Sequence, residues 1–106
     1  EMVNEKQMVK YVIAERQVLA KLKTGEVRGV KLQIGLPEPL EGRWQSEIAL
    51  DGLYPNTVKV PGVDSFQCLN LAFGVVRTAL EKFLESGGEL YWRDGSGPLG
   101  LVDIFS

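Results

Sequence analysis

Few residues in this chain have the types and spacing that chemistry requires, and each of them also has a structural use. Gly95-Ser96-Gly97-Pro98-Leu99-Gly100 spells G-x-G-x-x-G. In dinucleotide-binding folds that pattern follows a strand and opens a helix whose first amides hold a pyrophosphate. Here Pro98 removes one amide, and the residues after Gly100, LVDIFS, alternate like a strand. The expectation is a glycine-rich hairpin with no cofactor. Asp64 and Gln67 offer an acid beside an orienting amide. Ahead of an apolar run, however, residues three apart make a capping box, which uses both side chains on orphan backbone amides. Glu81 and Glu85 resemble a carboxylate pair but are i and i+4 on the polar side of a helix, a solvated arrangement. Arg77, Arg93, Asp94 and Asp103 would form a polar cluster if that helix lay over the chain's last segment, although Asp103 between two apolar residues also reads as edge protection. The sequence has no histidine, so the commonest general base and His-based triads are missing. No zinc or calcium ligand spacing appears either. A hydrolase built on carboxylates alone is the one catalytic option left.

The element that must position these residues is a helix over 64–86, DSFQCLNLAFGVVRTALEKFLES, capped by Asp64 and Gln67 and stopped by Gly87-Gly88. Phe66, Leu69, Ala72, Phe73, Val76, Leu80 and Phe83 form its expected buried stripe, while Leu71 and Val75 widen the apolar arc beyond it. Cys68 is the single cysteine. Its apolar helix neighbours make it a small packing residue, and no cation within four residues would depress its pKa.

Around the helix the pattern alternates or turns. Residues 9–22 fit a strand better than a helix, because Arg16 would break a helical apolar stripe. A turn at Lys23-Thr24-Gly25-Glu26 leads to a strand over 27–36, with Val30, Leu32, Ile34 and Leu36 on one side. Pro37-Glu38-Pro39 should end it. Strands follow at 43–50, with Trp44, Ser46, Ile48 and Leu50 sharing a side, and at 57–60. A closing β-hairpin joins 89–93 to 99–105. Residues 1–8 are expected to fray. The fold class is thus α+β, with an antiparallel sheet of about five to six strands packed against one long helix, in a single domain spanning 1–106.

Geometry adds a prediction about assembly. A helix ~34 Å long and ~10 Å across cannot cover a flat five-stranded sheet ~24 Å wide. With Val12, Ala14, Val18, Tyr91, Val102 and Ile104 taken as the other face, surplus apolar surface points to a homodimer. Both tryptophans, Trp44 and Trp92, are expected to pack inside, with Trp44 also able to line a surface groove beside the Pro-Glu-Pro loop.

Twelve basic against fourteen acidic side chains give a net charge of −2, with no Lys/Arg cluster of the kind nucleic acid requires. No apolar run approaches a membrane span, and no leader segment is visible, which gives a cytoplasmic expectation. The segments IGLPEP, the following tryptophan, GVDSFQCLNLAFGVVRTAL and LYW resemble a bacterial family of small proteins known only as a domain of unknown function. Its motif is Gly-x-Asp followed by Gln-Ala-Leu at the helix start. The matching residues here are Gly62-Val63-Asp64 and Gln67-Cys68-Leu69, with Cys68 in place of the alanine. The resemblance spans most of 30–93, implies the sheet-and-helix architecture and a bacterial origin, and implies no activity. The functional expectation is a protein-interaction or accessory module of the immunity type without catalysis, contacting its partner through Leu71, Val75 and Trp44. The alternative is a small-ligand or anion binder, or a carboxylate hydrolase, with its pocket between the helix start and the 37–43 loop.

Overall fold

A computed structural model of the protein describes residues 8–105; of the expected frayed start, only Met8 lies among them. Strand β1 (Val12–Lys21) turns at Gly25 (φ +98°) into β2 (Val27–Gly35), as the β-branched residues and the Thr-Gly turn dictate. Then come β3 (Glu38–Leu40), β4 (Arg43–Asp51), β5 (Val58–Gly62), helix α1 (Ser65–Glu85), β6 (Glu89–Trp92) and the short helix α2 (Leu101–Phe105). All pairings between the strands are antiparallel, in the order β3-β4-β2-β1-β6 with β5 on β4's other side.

Two prolines expected to lie outside the ladder are inside it. Pro39 pairs with Trp44 and Pro61 with Gln45. Both occupy outer strands, where a residue without an N–H costs no ladder bond. The strand expected over 27–36 does end before Pro37, but the end is a break: β2 stops at Gly35, Leu36 is exposed, and β3 resumes the pairing with β4.

Cross-strand partners share a face, so the register sorts the sheet. Val18 and Val30, Leu32 and Leu50, and Ile34 and Ile48 are opposed pairs on the helix side, all buried. The reverse face carries Glu15, Gln17, Lys31, Gln33, Gln45, Glu47 and Lys59. This corrects most of the expected apolar second face. Val18 and Ala14 belong to the core side and Ile104 packs on the core from α2, while Tyr91 lies on the reverse face opposite Leu19, in a face that is otherwise mostly polar.

Helix α1 begins and ends as its sequence requires. Asp64 Oδ1 accepts from the Gln67 N–H at 2.8 Å, and Gln67 Oε1 accepts from the Val63 N–H at 2.8 Å. At the other end Gly87 adopts φ +103°, and the Gly88 N–H donates to the Phe83 carbonyl. The buried stripe is Cys68, Ala72, Val76 and Leu80, narrower than expected. Phe66 is 80% exposed and Phe73 45% exposed. The small side chains of Cys68 and Ala72 let the helix settle close to β4 and β5, so the aromatic side of the helix hangs over its flank.

The closing hairpin is present only in part. β6 pairs with β1, and the returning chain makes one bridge, Tyr91 to Pro98, with Leu99 N donating to Leu90 O. Its second arm then coils into α2 instead of continuing as strand. Leu101, Ile104 and Phe105 pack against the core from there, an i, i+3, i+4 set that suits one helical turn.

Candidate functional site

Most residues with chemical potential are consumed locally. Asp64 and Gln67 form the capping box. It engages the Val63 and Gln67 amides, while the Cys68 amide donates to the Asp64 carbonyl, and a carboxylate already stands where an anion would sit. The 37–43 segment expected to frame a pocket there is itself the β3–β4 hairpin, turning at Gly42 (φ +80°). Arg77 pairs with Glu81 at 3.5 Å and lies 5.5 Å from the Phe105 ring centre. Asp94 accepts from the Ser96 N–H and Asp103 from the Gly100 N–H. The suspected polar cluster is therefore dispersed into separate local contacts.

The glycine pattern at 95–100 does lie between a strand and a helix, contrary to the expected strand–strand context. The helix is only five residues long, and the Gly100 amide is taken by Asp103. Both features leave it as a capped turn. Cys68 is fully buried, with its thiol directed at the Val60 carbonyl at 3.6 Å. Burial, and secondarily the charge of Asp64, pushes its pKa up, which suits packing and not nucleophilic work. Among the described residues no group of three or more His, Cys, Asp or Glu is arranged to hold a metal ion.

The expected contact residues divide by position. Leu71 and Val75 are 44% and 37% exposed on one flank of α1. Phe66 and Phe73 lie about 160° away around a helix of 3.6 residues per turn. Trp44, half-buried, is the cross-strand neighbour of Gly62. Gly62 in turn packs against Cys68, one turn before Leu71. Trp44 is thus linked to the first turn of α1 through Gly62 and Cys68, while Val75 lies at the helix's middle. Neither tryptophan belongs to the core, and Trp92 is exposed in a shallow hollow with Arg93, Asp94 and Ser96.

An apolar hollow lies on the Phe73 flank, where α1 leaves the N-terminal half of β1 and the end of β2 uncovered. It measures about 140 Å³ between Ala14, Glu15, Arg16, Leu32, Ile34, Phe73, Val76, Ile104 and Phe105, with Glu15 reaching it at the strand edge and its carboxylate bonded on the opposite face. Sequence reading used Arg16 only to choose strand over helix. The signal was nonetheless present: in a period-2 strand, Arg16 falls on the same side as Ala14 and Val18, so a charge stands on the apolar face. A second hollow of about 150 Å³ lies on the polar side among Lys10, Glu38, Glu47 and Lys59, with opposite charges intermixed.

Residues 14–102 match the model of a family described as Domain of unknown function (DUF6968). No curated protein matches, and no solved structure matches.

Proposed function

Starting from a chain that belongs to the DUF6968 family, whose description assigns no role, we propose that it is a non-catalytic module that binds another protein through the exposed flank of α1. The observation that carries this reading is the apolar arc of α1, which extends beyond the Cys68–Ala72–Val76–Leu80 stripe that the helix buries. Leu71 and Val75 stand half in solvent one turn apart on one flank of the helix. Large apolar side chains grouped on one surface have a free-energy reason to be covered. The acid–base groups support the non-catalytic part, since Asp64, Asp94, Asp103 and Glu81 are each engaged by a neighbour. Among the described residues no helix is long and apolar enough to cross a membrane.

A second copy of the chain is the rival occupant of this flank. The polar reverse face lends a homodimer no support, so its case rests on α1 alone. Light scattering separates the two: a mass near 11.7 kDa leaves the flank free for a foreign partner, and twice that mass assigns it to self-association. The decisive test is affinity capture from source lysate with the wild type and a Leu71→Glu, Val75→Glu variant. The reading requires a stoichiometric foreign protein that the variant loses while its unfolding midpoint is unchanged. Recovery of the bait alone, or capture that survives the substitutions, overturns it.

A further inference from the structure

The cleft on the other flank has a composition that the protein-binding reading leaves unused. Arg16 sits on the helix side of β1, opposite Leu32 and between Ala14 and Val18 in the strand's alternation. Its sequence neighbour Glu15 points to the polar face, where Gln33 Nε2 donates to it at 2.8 Å and Gln17 Nε2 at 3.0 Å. Both Glu15 oxygens are thus engaged away from Arg16. The other charges near the cleft are engaged too. Arg77 is paired with Glu81, and Asp103 Oδ2 accepts from Gly100 N. Among the described residues the Arg16 side chain has no hydrogen bond or ion pair. One unpaired guanidinium therefore borders walls formed by Leu32, Ile34, Phe73 and Phe105.

Charge and size together define what fits. The 140 Å³ of the cleft is close to the roughly 150 Å³ of apolar space known to admit one benzene ring. Arg16 is the one cation lining the cleft, while nearby Arg77 is held by Glu81 and lies over Phe105. A single free guanidinium matches a monoanion, and its fork matches a carboxylate in bidentate geometry. We propose that the cleft binds a small free carboxylic acid, ionised, whose body is one aromatic ring or a compact branched chain. The carboxylate would meet Arg16 and the body would lie between Phe73, Phe105 and the β2 residues Leu32 and Ile34. This site is independent of the Leu71–Val75 flank and stands or falls separately from it.

The experiment is a two-dimensional amide NMR titration of the full chain with phenylacetate, set against its neutral isostere phenylacetamide. Binding should produce saturable shifts clustered at β1, the end of β2 and α2. Phenylacetamide should bind more weakly by about tenfold or more, the scale of one charge-assisted bidentate contact. Arg16→Met should weaken phenylacetate by a similar factor and abolish the preference over the amide, and its dispersed spectrum reports whether it folds. Should Arg16→Met not fold, Arg16→Lys keeps the charge without the fork and should lose part of the preference. Absence of shifts with phenylacetate, equal binding of the amide, or a preference untouched by the Arg16 substitution overturns the proposal.

Discussion

The Ser46 hydroxyl donates to the Gly35 carbonyl at 2.8 Å, inside the protein and across the point where β2 gives way to β3. Ser46 is the one buried polar side chain among the described residues. It sits where the regular ladder between β2 and β4 is interrupted. Gly35 is equally constrained, since a Cβ there would come within 2.8 Å of both the Glu47 carbonyl oxygen and a Val9 methyl. Ser46→Ala should therefore destabilise the fold by about 1–3 kcal/mol, the cost of leaving a buried acceptor without its partner. Gly35→Ala should cost a comparable amount or more by overpacking. Urea unfolding of the two variants measures both, and a Ser46→Ala midpoint equal to the wild type's would show that the break does not depend on this bond.

At the start of α1 the capping box makes a graded prediction. Asp64→Ala removes the acceptor for the Gln67 amide and should cost about 0.5–2 kcal/mol. Asp64→Asn retains a cap of similar quality and should cost much less. Thermal unfolding of the pair distinguishes capping from charge: equal losses in both variants would mean that the carboxylate's charge, not its geometry, matters there.

That helix end was legible in the sequence because capping is local: Asp64, Gln67, Gly87 and Gly88 carry their geometry in a few consecutive residues. The β1–β2 turn at Gly25 was legible for the same reason. Phe66 and Phe73 were not, because periodicity ranks the faces of a helix without saying how wide a surface lies beneath it. Here that width is set by Gly62 on β5 and by Cys68 and Ala72 a turn apart on α1, a packing of helix on sheet that periodicity does not encode. The second arm of the terminal hairpin failed differently. Val102, Asp103 and Ile104 alternate like strand, but five residues are too few to separate period 2 from one helical turn. The burial of Leu101, Ile104 and Phe105 against the core decides it. The Arg16 cleft depends on what α1 leaves uncovered, a tertiary fact, although the misplaced charge itself was visible.

Glu15 should show a pH dependence of definite sign. The hydrogen bond from Gln33, then that from Gln17, holds its carboxyl below the ordinary value of 4.5. A carboxylate with a depressed folded pKa stabilises the protein above the ordinary range and loses that contribution as pH falls through the folded value. Gln33→Ala should move the Glu15 titration up toward 4.5 when followed by carboxyl NMR, and should flatten the acid limb of the stability profile. A titration unmoved by the substitution would assign the shift to the Gln17 bond and, after it, to the neighbouring cations Lys31 and Arg93.

A close approach between helix and sheet, Gly62 against Cys68, makes the sharpest prediction. A Cβ on Gly62 would lie 2.8 Å from the Cys68 amide nitrogen and 2.9 Å from its sulfur. The first of these is rigid backbone, so Gly62→Ala must lift the start of α1 from β5, at a cost of about 1–3 kcal/mol or more. The same closeness buries the thiol. Wild-type Cys68 should resist a disulfide reagent in the native state and react at the rate at which the protein opens, whereas Gly62→Ala should react faster. Burial keeps the proton on the folded thiol at pH values where the unfolded chain, near the ordinary 9.0, has released it. Its contribution to stability is therefore intact below that value and lost as pH rises above it. Cys68→Ala removes the titrating group, so the difference between its alkaline stability profile and the wild type's isolates the effect. Parallel profiles above pH 9.0, or rapid native labelling of the wild type, would mean that the helix start opens far more readily than its contacts with Gly62 and Val60 imply.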